Sequence, residues 1–113
     1  MKVTVRIHDA VSGLVTAWRR SLSPNPADAR ALAQVYLFEL KRRLAAAGGF
    51  PRETETDTTT NPPTYLCELT GGTWVRYTVT NSRMFGWVRS RDIEIIGLEE
   101  RLPPPSPQGS LPA

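Results

Sequence analysis

One cysteine and one histidine in 113 residues leave little material for thiol or metal chemistry. Cys67 has no second cysteine to pair with, which excludes an internal disulfide and gives no sign of an oxidising compartment. Neither HExxH nor CxxC spacing occurs, and one His with one Cys is too little for a zinc site, so no metal is expected. No run of about 18 apolar residues exists to span a bilayer. The opening residues Met1 to Arg6 lack the continuous apolar stretch of a secretory signal, so a cytoplasmic protein without a membrane partner is expected. No glycine-rich phosphate loop follows a strand, and no cofactor is expected. Gly48-Gly49 and Gly71-Gly72 read instead as a helix stop and a tight turn.

The chain that remains is of ordinary globular composition, 40% apolar and 22% charged, and its length fits one domain, expected over residues 1–101. Residues 102–113 hold five of the ten prolines and are expected to form a disordered tail, because they carry too little apolar surface to offset ordering entropy. The net charge of +3 is a mild bias, but its distribution is uneven. Residues 74–91 contain Arg76, Arg83, Arg89 and Arg91 and no acidic residue, whereas Glu53, Glu55 and Asp57 cluster earlier.

Periodicity suggests an α+β domain: one long helix packed on an antiparallel β-meander, with an N-terminal strand or hairpin. Val3, Val5 and Ile7 alternate with polar residues, as in a half-buried strand. Asp9 to Gly13 carries turn chemistry, and residues 14–20 then read as a returning strand or, less readily, as a short helix. A helix is expected over residues 26–47, capped by Asn25, started by Pro26 and stopped at Gly48. Its core stripe is Leu32, Ala33, Tyr36, Leu40, Leu44 and Ala47. Ala31, Val35 and Phe38 fall beside Arg42 on roughly the opposite side, where either the N-terminal segment or a partner covers them. Residues 51–63 lack any period and are expected to be a mobile loop. Strands are expected over 64–70, 74–80, 84–88 and 93–98, with turns at Gly71-Gly72, Asn81-Ser82 and 90–92.

No catalytic constellation emerges, and enzymatic activity stays open. His8 stands at a strand end, and Cys67 lies between Tyr65 and Leu69 as a small buried hydrophobe. The residues with binding chemistry are Trp74 with Arg76 and Trp87 with Arg89, each pair two apart, together with Arg83 and Arg91. Guanidinium groups form bidentate contacts with phosphate and indoles stack on bases, so these six residues are a candidate nucleic-acid surface. The competing reading is a solvated sheet face whose arginines deter edge pairing.

The region 23–98 resembles the bacterial RelE/ParE toxin superfamily. The resemblance is carried by Asn25-Pro26-Ala27-Asp28-Ala29 opening a helix, by Leu69 to Tyr77 as strand, turn, then aromatic and arginine, and by Asp92 to Leu98 as an apolar closing strand. It implies a helix-plus-antiparallel-sheet fold, an antitoxin partner, and either ribosome-dependent mRNA cleavage or gyrase poisoning. Arg76 would then match a sheet arginine that contacts RNA. Two features depart from the pattern: Glu99-Glu100-Arg101 and prolines follow the closing strand, and an N-terminal hairpin replaces a single first strand. The alternatives are a non-enzymatic module binding DNA, RNA or protein, and an assembly protein forming a homodimer through Val35 and Phe38. For the former, the first 47 residues resemble arm-type DNA-binding modules of integrases.

Overall fold

The computed structural model describes residues 1–101; the segment 102–113 lies outside the described residues. Strand β1 (Lys2–Ile7) leads through a short 3-10 turn (Asp9–Val11) into helix α1 (Ser12–Ser21) and helix α2 (Pro26–Ala46). Strands β2 (Glu55–Asp57), β3 (Thr64–Thr70), β4 (Thr73–Met84) and β5 (Trp87–Glu100) follow. The five strands form one sheet in the order β1-β5-β4-β3-β2. Neighbours are antiparallel except β1, which runs parallel to β5 with Val5 opposite Ile93.

The α+β class therefore stands, with corrections: there are two helices rather than one, and the sheet is mixed rather than a simple meander. Residues 14–20 are helical. Val11, Val15, Trp18 and Leu22 recur at helical spacing and are the apolar positions that α1 and its flanks bury or half-bury, while Leu14 is exposed. Leu14, Thr16 and Trp18 would share one face of a strand, but Leu14 is exposed while Trp18 is buried. Trp18 Nε1 donates to Thr70 Oγ1 at 3.2 Å, which ties α1 to β3.

Helix α2 follows its sequence signals closely. Asn25 Oδ1 accepts from the amides of Ala27 and Asp28 at 2.9 and 3.2 Å, Pro26 holds the first helical position, and Gly48 and Gly49 take φ of 63° and 99° beyond the end. Ala33, Leu40 and Leu44 of the expected stripe are buried, joined by Ala29, whereas Leu32, Tyr36 and Ala47 are exposed. Burying each leucine contributes roughly 1.5–3 kcal/mol.

Both helices cover one face of the sheet, where Trp18, Ala33, Leu40 and Leu44 pack with Cys67, Leu69, Val75, Tyr77, Ile93 and Ile95. Tyr77 is fully buried, and its hydroxyl donates to the Gly49 carbonyl at 2.6 Å, pinning the end of α2 to the sheet. Burial pushes the Tyr77 phenol up to about 12 and the Cys67 thiol up to about 11. Cys67 is thus the buried hydrophobe that the alternation predicts.

The C-terminal strands are fewer and longer than expected. Asn81 and Ser82 do not turn the chain; they pair with Arg91 and Ser90 within the β4–β5 ladder, just before a register shift at Arg83. The reversal falls four residues later, at Phe85-Gly86, between the paired Met84 and Trp87. Phe85 and Gly86 both have positive φ, 54° and 81°, as a two-residue hairpin of type I′ demands. The Gly71-Gly72 turn between Thr70 and Thr73 is where the glycines placed it. Within residues 51–63, the strand β2 pairs with β3 and the Asn61–Pro62 peptide is cis. No helix among the described residues is long and apolar enough to cross a membrane.

Candidate nucleic-acid interface

Side chains of cross-strand partners share a face of a sheet, and alternate residues change face. With Val75, Tyr77, Ile93 and Ile95 against the helices, Trp74 and Arg76 project from the opposite, helix-free face. Arg91 pairs with Asn81 and lies on the helix side, where its Nη1 donates to the Gly48 carbonyl at 2.7 Å and its Nε to Asn81 Oδ1 at 3.0 Å. Its guanidinium also sits 5.6 Å from the centre of the Phe50 ring. Beyond Ser82 a register shift leaves Arg89 without a cross-strand partner, and Arg83 then pairs with Val88 and Met84 with Trp87, so the alternation that places Arg91 does not carry on to the hairpin. The six residues singled out in the sequence are therefore divided between two faces, and the expectation of one continuous arginine–indole surface is corrected.

The helix-free face is also electrostatically closed. Arg76 Nη1 donates to Asp57 Oδ2 at 2.7 Å and to Thr64 Oγ1 at 2.6 Å, while its Nη2 and Nε donate to Glu99 Oε1 at 2.9 and 3.2 Å. These carboxylates hold the guanidinium pKa above its ordinary value. The Asp57 carboxyl is in turn lowered to about 2, first by the Thr59 hydroxyl it accepts from and then by Arg76. Arg101 lies over the Trp74 ring, 4.5 Å from its centre, and pairs with Glu55. Arg6 pairs with Glu94 at 3.3 Å on the same face. Acidic residues from 51–63 and from β5 thus neutralise the arginines of this face. The pairing was invisible in the sequence because Asp57 and Glu99 are remote from Arg76 along the chain.

The tip of the β4–β5 hairpin has the opposite character. Phe85 is 92% exposed, Trp87 78% and Met84 46%, three large apolar side chains on one turn. Among the described residues neither Arg83 nor Arg89, which flank them, has an ion-pair partner; Arg89 Nη1 lies 3.3 Å from Met84 Sδ. Phe85 adopts the left-handed region, a costly conformation for a bulky residue. An aromatic held there, with its ring in solvent, contributes nothing to the core. Strain of this kind is often found at functional sites. Met84 and Phe85 were missed in the sequence because the turn was expected at Asn81-Ser82; the only signal was Gly86.

On α2, Ala31, Val35, Phe38 and Arg42 share one exposed face, as their spacing predicts, with Val35 60% and Phe38 66% exposed. The N-terminal segment does not cover them. Arg42 pairs with Glu39 on its own helix, with Nη2 2.8 Å from Oε2. His8 caps the 3-10 turn, its Nδ1 accepting from the Ala10 amide at 3.0 Å. No group of three or more His, Cys, Asp or Glu residues is placed to hold a metal among the described residues.

The fold and this surface define a small α+β protein with a helix pair on one face of a mixed sheet and an aromatic, cationic hairpin. No protein-family model matches the chain, and neither a curated protein nor a solved structure shows significant similarity to it.

Proposed function

We propose that this chain is a cytoplasmic RelE/ParE-like toxin component that acts by binding single-stranded RNA through the β4–β5 hairpin, not by cleaving it. The observation that carries the reading is the hairpin tip, where Phe85 and Trp87 stand in solvent between Arg83 and Arg89. Rings presented this way stack on unpaired bases at roughly 1–3 kcal/mol per base, and unpaired guanidinium groups take the phosphates between them. The single strand β1 running directly into helices also supports the family frame, since it removes the N-terminal departure noted in the sequence.

Cleavage has weaker support. Arg76, matched to the family's sheet arginine, is held by Asp57 and Glu99 and has no free fork for a scissile phosphate. An antitoxin segment would cover the exposed Val35 and Phe38 face. Induced expression tests the toxin reading: growth arrest that disappears in Trp87→Ala is expected, and unaffected growth with the wild-type chain contradicts it.

A second reading, an assembly protein dimerising through α2, is favoured by the same Val35 and Phe38 exposure. Sedimentation separates the two: a wild-type dimer that Phe38→Asp converts to monomer supports assembly, and a wild-type monomer removes it.

A further inference from the structure

At the junction of α1 and α2, far from the hairpin, three more arginines face one cleft. It is bounded by Arg19 and Arg20 at the end of α1, by Ser23 and Pro24 in the turn, and by Pro26 and Arg30 on α2. The buried Ala29 forms part of its wall, and its volume of about 440 Å³ admits a phosphate group with its waters. No carboxylate lines it, and none of the three arginines has an ion-pair partner among the described residues. Arg19 and Arg20 gain something from the negative end of α1, but Arg30 lies near the positive end of α2, where the helix dipole gives no reason for a cation. Three like charges around one cavity repel each other unless an anion sits among them.

We infer that this cleft is a phosphate-binding site built by Arg19, Arg20, Arg30 and Ser23. Ser23 Oγ accepts from the Asn25 amide at 3.2 Å, which leaves its own hydroxyl hydrogen free to donate. The charged and hydroxyl side chains of the cleft are therefore all donors. Three guanidinium forks lining one cleft suit the oxygens of a compact, multiply charged tetrahedral anion better than the spaced carboxylates of an acidic peptide. Pro24 in the connection and Pro26 at the start of α2 keep the wall rigid, so little ordering entropy opposes binding.

The site is independent of the hairpin. Trp18 and Thr70 tie α1 to the Gly71-Gly72 end of the sheet, and the length of β4, about 35 Å, separates that end from Phe85. The phosphate belongs either to a small anion or to a nucleic-acid backbone, and two titrations tell these apart. In the first, inorganic phosphate and pyrophosphate are titrated into the full chain by calorimetry. In the second, an oligouridine RNA is titrated into a chain whose hairpin carries Arg83→Gln, Trp87→Ala and Arg89→Gln. Each is repeated with Arg20→Gln and Arg30→Gln, both at exposed positions, with circular dichroism checking that the variants stay folded.

Saturable pyrophosphate binding with Kd below about 1 mM, weakened at least about tenfold in the Arg20→Gln/Arg30→Gln chain, is the expected result and identifies a small anion. RNA binding with the same dependence, without pyrophosphate binding, supports the site and identifies a nucleic-acid backbone. The inference is overturned if no phosphate compound binds saturably, if binding ignores both arginines, or if polyglutamate binds more tightly than pyrophosphate. The pyrophosphate result does not depend on the hairpin, so failure of the RNA reading leaves it intact.

Discussion

Arg76 and Asp57 meet across the sheet at 2.7 Å, joining the last residue of β2 to β4. The same guanidinium reaches Glu99 on β5, so one side chain bridges segments that are distant in sequence. A residue that reads in the sequence as a contact for RNA is thereby a structural tie.

Removing that tie should weaken the fold. Arg76→Ala leaves the partly exposed Asp57 and Glu99 without their common cation, at an expected cost of about 1–2 kcal/mol after allowance for solvent screening. Urea denaturation measures the cost. RNA affinity, measured in parallel, is expected to stay unchanged.

Acid should weaken the fold through Asp57. Its carboxyl is lowered from 3.8 to about 2, so its contribution is fully present above the ordinary value and is lost as pH falls through about 2. Asp57→Asn is expected to be less stable than wild type at neutral pH, with the difference closing as pH falls toward 2. Thermal unfolding at a series of pH values checks it.

Tyr77→Phe removes the donor to Gly49 and leaves a buried carbonyl unpaired, at an expected cost of about 1–3 kcal/mol in denaturant unfolding. The phenol is raised from 10.0 to about 12, so its contribution is full below pH 10 and is lost as pH rises toward 12. The variant should lack that alkaline loss of stability.

Cys67 should be chemically silent in the folded protein. It is fully buried and its thiol is raised to about 11, so little thiolate exists at neutral pH. A maleimide is expected to label it only at the rate of global opening, and denaturant should make labelling fast.

The parts of this fold that were legible in the sequence are those fixed by neighbouring residues. Asn25, Pro26 and Gly48 set the bounds of α2, alternation marked β1, and two glycines set the β3–β4 turn. The parts that were not legible depend on remote contacts or on unusual backbone. The parallel pairing of β1 with β5 joins the two ends of the described chain, and no local pattern encodes it. Asn81 and Ser82 carry turn chemistry but are held in the β4–β5 ladder, while the real turn forces Phe85 into a conformation that few would assign to phenylalanine. Helix α1 was misread because ten residues offer too few turns to separate helical from strand periodicity. The same limits apply to the candidate surface. Arg83, Trp87 and Arg89 were found by composition, but the division of Arg91 from Trp74 and Arg76 became visible only once β4 and β5 were paired in register.

The salt dependence of RNA binding tests the hairpin most directly. For single-stranded oligouridine, log K should fall linearly with log salt, and replacing Arg83 and Arg89 by Gln should reduce the slope by about 1.4, the share of two released counterions. Trp87→Ala should lower affinity at every salt concentration without changing the slope. An affinity and slope left unchanged by all three substitutions would contradict the account.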